Sequence, residues 1–200
     1  MKNNQQILDT ILKKLDRIPY ISPDEIPKLE LYMDQLTTFM EEHLKEAKRA
    51  SEDKILTKTM INNYAKNRLL PAPNKKKYGK DHILLLIFIY YYKNLLSFSD
   101  IERILTPLSD EHFTGKKSSG IELEEIYSRI QTLIRESIPS LKEEIRKKFA
   151  KADAVYPQDD SDNRYPALFT FMSELAFDIY IKKQIIQTIS DLLPAREEKL

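Results

Sequence analysis

The 200-residue chain has no cysteine, which excludes a disulfide scaffold, a thiol nucleophile and any cysteine-based zinc or iron–sulfur site. With three glycines it cannot hold the dinucleotide-binding fingerprint or a phosphate loop, both of which need several glycines at fixed spacing. No apolar run is long: the greasiest stretch, Ile83 to Tyr92, is bounded by Lys80, Asp81 and Lys93. A bilayer span needs about twenty residues, so this run predicts a buried core helix and no membrane partner. Met1-Lys2-Asn3-Asn4-Gln5-Gln6 is not the apolar region of a signal peptide, and the expectation is a cytoplasmic protein. Neither charge sign dominates, since 32 Lys and Arg face 31 Asp and Glu.

Catalytic and metal signatures are missing as well. His43, His82 and His112 lie too far apart in sequence for a metal-ligand spacing, and no Gly-x-Ser-x-Gly occurs. Asp159-Asp160-Ser161-Asp162-Asn163 has the look of a calcium loop. Counting from Asp160, however, puts Tyr165 where the turn needs Gly and Phe171 where Glu should bind. Gly115-Lys116-Lys117-Ser118-Ser119-Gly120 lacks the glycine spacing of a phosphate loop. The expectation is a non-enzyme with no catalytic residue, no metal and no cofactor.

What is present is helical periodicity. Apolar residues recur at three and four, which predicts an all-α chain. Ile7, Leu8, Ile11, Leu12, Leu15 and Ile18 stripe a first helix ending before Pro19, and a second is expected over 28–50. Thr57 is placed to cap a helix over 58–69, ended by Pro71. The buried helix follows over 81–96, and Ser99-Asp100-Ile101-Glu102 suggests a capping box opening a short helix that ends near Pro107. The last third predicts two long helices, the first kinked or broken at Pro139 and the second opened by Pro166. The expected organisation is N-terminal helices over 1–53, a compact segment over 54–107, a linker over 108–120 and a helical region over 121–200.

Charge is concentrated where total charge hides it. Residues 54–82 hold Lys54, Lys58, Lys66, Arg68, Lys75, Lys76, Lys77 and Lys80 against Asp81 alone. That is +7 in a chain of net +1, and it reads as an anion-facing surface whose commonest partner is a phosphate backbone. Within the helix Thr57, Lys58, Thr59, Asn62, Asn63, Lys66 and Asn67 offer short hydrogen-bonding or cationic side chains, as base and phosphate contacts require.

The order Thr57-Lys58-Thr59-Met60-Ile61-Asn62-Asn63-Tyr64-Ala65-Lys66-Asn67-Arg68-Leu69-Leu70-Pro71, then Lys77-Tyr78, then Asp81, Ile83, Leu86 and Ile89, resembles the start of MerR-type winged helix-turn-helix regulators. Phe98 to Leu105 is similar to that family's next short helix, so the likeness covers about 55–106. The whole chain resembles a bacterial domain-of-unknown-function family, DUF1836, grouped near the MerR-like proteins. The resemblance implies a MerR-like winged helix-turn-helix with an N-terminal helical extension and a C-terminal dimerising region. It implies phosphate contacts at Thr57, Lys58 and Tyr64 and wing contacts at Lys76 and Lys77. The chain departs from the MerR pattern at Asn62-Asn63, where Arg-Tyr is usual, and at Arg68, where Gly is usual. Arg at that position argues against a left-handed helix exit, and the short 71–78 loop suggests a vestigial wing.

The expected function is double-stranded DNA binding by a transcriptional regulator that pairs as a homodimer through its C-terminal helices. The residues expected to touch DNA are Thr57, Lys58, Thr59, Asn62, Asn63, Tyr64, Lys66, Arg68, Lys75, Lys76, Lys77 and Tyr78. The alternative is a helical protein-interaction module on the same scaffold, binding an acidic partner or RNA. A third reading, ligand sensing, draws on Tyr127, Tyr156, Tyr165 and Phe169 as pocket lining.

Overall fold

A computed structural model describes residues 4–17, 20–50, 52–113, 120–156 and 164–193. Its described residues form seven α-helices and one two-stranded sheet: α1 (Asn4–Leu15), β1 (Leu31–Tyr32), α2 (Met33–Leu44), α3 (Lys58–Lys66), β2 (Lys77–Tyr78), α4 (Lys80–Tyr92), α5 (Phe98–Phe113), α6 (Leu123–Ala154) and α7 (Arg164–Leu192). The chain is mostly helical, as its periodicity predicts. It divides into two compact units, the first Met1–Ile18 with Thr132–Ile186 and the second Pro19–Gln131 with Gln187–Leu200. The expected divisions after residues 53, 107 and 120 all fall inside the second unit.

The second unit is organised around α4. Nine consecutive residues, His82 to Tyr90, are buried, so the helix is enclosed on every side and needs apolar residues on every side. Leu36, Phe39, Met40 and Leu44 of α2, Ile61 of α3, Ile101 and Leu105 of α5, and Leu123 and Tyr127 of α6 complete that core. Tyr127 is wholly buried, and its hydroxyl donates to the Ile21 carbonyl at 2.7 Å. At the far end of the chain, Gln187 donates to Asp100 at 3.1 Å and Arg103 pairs with Asp191 at 2.5 Å.

The first unit is leaner. Leu8, Ile145, Phe149, Ala152 and Phe171 make its core, with Phe149 and Phe171 packed edge to face at 5.1 Å. Polar ties hold its three helical segments: Lys142 pairs with Asp16, Lys148 with Glu144 and Asp178, and Tyr156 bonds Thr170 at 2.8 Å. The aromatics considered as pocket lining are divided accordingly. Tyr127 belongs to the core of the second unit, while Tyr156, Tyr165 and Phe169 belong to the first, with Tyr165 and Phe169 exposed.

Several expected boundaries are corrected. The helix expected over 28–50 is shorter, because Leu31 and Tyr32 pair with Tyr78 and Lys77 in an antiparallel ladder before α2 begins. Neither inner proline ends its helix. Both α5 and α6 run through, past Pro107 and Pro139, and each proline is solvent-exposed, where the carbonyl it leaves unbonded can take water. The expected linker therefore begins as the last turn of α5, and residues 114–119 lie outside the described residues. The acidic loop over 159–163 lies outside them too. The α5 capping box sits two residues earlier than expected: Asp100 N–H donates to Ser97 Oγ at 3.1 Å, and Ser97 N–H to Asp100 Oδ2 at 3.2 Å.

Candidate nucleic-acid interface

Helix α3 is positioned from its start. Ile55 and Leu56 are buried, and Lys93 at the end of α4 donates to the Ile55 carbonyl at 2.6 Å. Burial lowers the Lys93 pKa, and its ammonium also lies 5.2 Å from the Tyr90 ring centre. Thr57 caps the helix as expected, its Oγ1 accepting from Met60 N–H at 3.1 Å. From that fixed start the helix turns Ile61 fully inward with Met60 and Tyr64 half-buried beside it. Lys58, Thr59, Asn62, Asn63, Lys66 and Asn67 are all exposed, at the helical spacing that makes one outward stripe. The adjacent asparagines therefore face solvent, and neither is tucked beneath a neighbouring element.

The exit from α3 contradicts expectation. Arg68 has φ +61°, the left-handed conformation that glycine usually supplies. Leu69 N–H bonds the Tyr64 carbonyl at 2.9 Å and Arg68 N–H the Ala65 carbonyl at 3.2 Å. These two bonds are the pair that closes a helix around a left-handed residue, and buried Leu69 supplies its apolar contact. Tyr64 is consequently a packing residue as well as a candidate contact, and burial raises its hydroxyl pKa.

The basic loop after α3 is short but closes in a genuine turn. Lys77 N–H bonds the Asn74 carbonyl at 2.9 Å, and the two residues form an antiparallel bridge. Between them Lys75 (φ +47°) and Lys76 (φ +65°) both adopt left-handed backbone, the pattern of a two-residue hairpin turn. Strand β2 then pairs with β1. The outward pair places the Lys77 ammonium 5.3 Å from the Tyr32 ring centre. On the inward side Tyr78 is only 3% exposed, and burial raises its hydroxyl pKa. Tyr78 is therefore a correction to the expected contacts, since its ring belongs to the core.

His82 locks this turn to α4. Its Nδ1 accepts from Gly79 N–H at 3.2 Å, and its ring meets Tyr78 at 5.5 Å and Phe113 at 4.6 Å, both edge to face. Nε2 is enclosed beside the Ala72 and Pro71 backbone, short of hydrogen-bond geometry. Burial lowers the imidazole pKa, partly opposed by that backbone and by Asp81 and Glu30.

Two acids moderate the positive field. Lys58 pairs with Asp34 at the start of α2, and Lys80 with Glu124 at 2.7 Å. The first pair brings the beginning of α3 and the base of the turn to one corner, because Asp34 and Tyr32 are two residues apart. Tyr32, Asp34 and Lys93 carry no local signal that sequence reasoning could have read; each matters only through a partner far along the chain. Among the described residues no group of three or more His, Asp or Glu is placed to hold a metal ion. No helix among them is long and apolar enough to cross a membrane.

No curated protein and no solved structure matches the chain. One family does, over residues 21–130, which is nearly the whole unbroken stretch 19–131 of the second unit. The segment that forms α2, the exposed helix, the basic turn and the enclosed α4 is thus one recurring unit, and the chain belongs to the family described as a domain of unknown function, DUF1836.

Proposed function

We propose that this protein binds duplex DNA as a transcriptional regulator of the MerR-like winged helix-turn-helix type. The observation that carries the reading is the outward stripe of α3, Lys58, Thr59, Asn62, Asn63, Lys66 and Asn67, beside a turn built from Lys75 and Lys76. Helix α3 enters the major groove, where Asn recognises adenine and Lys reaches guanine or phosphate. Lys75, Lys76 and Lys77 contact the backbone, and α2 serves as the first helix of the motif. Two copies pair through the first unit, which leaves Phe177, Tyr180, Ile181 and Ile185 exposed on α7. Pairing lets two half-sites be read together.

Titration of a fluorescent duplex at several salt concentrations tests the reading. Binding should weaken steeply with salt, and replacing Lys75, Lys76 and Lys77 with Ala should reduce both affinity and salt slope. Lack of affinity at low salt, or affinity indifferent to salt and to those substitutions, rejects it. The Lys58–Asp34 pair favours a second reading, because a carboxylate already docks on this face. In that reading the protein is a helical interaction module for an acidic protein. A captured acidic protein that is not displaced by duplex would select it.

A further inference from the structure

Three non-glycine residues among those described have left-handed backbone, and all three are cations: Arg68, Lys75 and Lys76. Side chains beyond Cα make this conformation costly, and glycine or asparagine is the usual occupant. The chain does not lack tolerant residues nearby. Asn67 immediately precedes Arg68, and Asn74 immediately precedes Lys75. A glycine stands at position 79, where φ is −85° and an added Cβ would meet nothing within 4 Å. Of the two described glycines, Gly120 fills a left-handed position (φ +68°) and Gly79 stands where any residue would fit, while charge occupies three further positions where glycine would fit best.

We infer that Arg68, Lys75 and Lys76 are phosphate-contacting residues and that their left-handed backbone is a stability cost retained for the charge. The inference rests on the DNA-binding reading above and adds Arg68, at the end of α3, to the contacts of the turn. All three side chains are exposed. Their backbones are held by bonds that do not involve the charged groups, the paired bonds after α3 and the Asn74–Lys77 turn. Each cation is therefore presented from a fixed Cα, with little backbone ordering left for the moment of binding. Strained backbone of this kind gathers at ligand clamps, where surrounding structure over-determines it. Neither turn needs a cation to close, since glycine would close both.

The test compares two substitutions at each position in the full chain. Arg68→Gly, Lys75→Gly and Lys76→Gly remove charge and relieve the backbone, whereas Arg68→Gln, Lys75→Gln and Lys76→Gln remove only charge. Urea unfolding midpoints and duplex titrations across salt are read for each. Every glycine variant should unfold at higher urea than wild type and than its glutamine counterpart. Both triple variants should bind duplex roughly tenfold or more weakly, with a salt slope smaller by about 2.7, the loss of three phosphate contacts. If the triple variants bind like wild type while Lys77→Ala, Lys66→Ala and Asn62→Ala weaken binding, this inference fails and the DNA reading stands on the α3 stripe and Lys77. If wild type does not bind at low salt, both fail. Glycine variants no more stable than their glutamine counterparts remove the claim of cost.

Discussion

The two units handle apolar surface in opposite ways. The second encloses a helix on all sides, with α4 buried over nine consecutive residues, and turns polar and cationic groups outward on α3 and the turn. The first closes on five buried residues and leaves Phe169, Met172, Phe177, Ile179, Tyr180, Ile181 and Ile185 exposed along one helix. A unit that satisfies its own apolar groups can devote its surface to a ligand. Exposed apolar side chains gathered on one helix are the surface that the pairing of two copies proposed above would cover. The family match follows the same division, since residues 21–130 lie wholly within the second unit.

The largest effects should come from the two cores. Leu86→Ala opens a cavity in a fully enclosed helix and should cost about 3–4 kcal/mol, while Phe171→Ala should cost about 3 kcal/mol. Hydrogen exchange locates each loss: amides of α4 should lose protection in the first variant, and amides of 164–186 in the second. Uniform loss across both units in either variant would break the distinction drawn here. A smaller effect is expected on the open face. If two copies pair as proposed, Ile181→Glu with Ile185→Glu should shift the mass measured by light scattering from dimer to monomer while leaving the urea midpoint of the second unit unchanged. A dimer that survives both substitutions removes that face from the assembly.

The smallest effect is a pH dependence confined to the closed unit. His82 is buried with its pKa lowered from 6.5, so the unfolded chain holds the proton more tightly than the folded one. Its neutral form therefore supports the fold fully above about pH 6.5, and stability declines as pH falls below that value until the folded imidazole also protonates. One proton limits the slope to about 1.4 kcal/mol per pH unit. Urea midpoints at pH 7.5 and 5.0 should differ less in His82→Gln than in wild type. An unchanged difference would assign the acid sensitivity to other groups.

Much of this architecture was legible in the sequence because the signals are local. The apolar run of α4, the Thr57 cap and the three-and-four spacing of α1, α6 and α7 depend on neighbours within a turn or two. The strand pair was not legible. Leu31 and Tyr32 have partners more than forty residues on, and nothing in their own segment separates a two-residue strand from the start of a helix. Pro107 and Pro139 misled because the cost of one missing bond was weighed without knowing that each proline faces water. Of the candidate contacts, the α3 stripe was readable from helical spacing. Tyr78 was not, since its inward direction is set by pairing with Leu31 rather than by adjacent lysines. Arg68 misled for the opposite reason: propensity argues against the left-handed exit, and the closing bonds from Leu69 and Arg68 override it.

The ladder between β1 and β2 also sets which way its side chains face. Successive residues of a strand face opposite sides, so pairing Leu31 with Tyr78 and Tyr32 with Lys77 decides that the ring goes into the core and the ammonium outward. A slip of one residue would bury a lysine and put an aromatic ring in water. The register is therefore held by the burial of Tyr78 and not by the loop before it, which leaves that loop free to vary in what it carries.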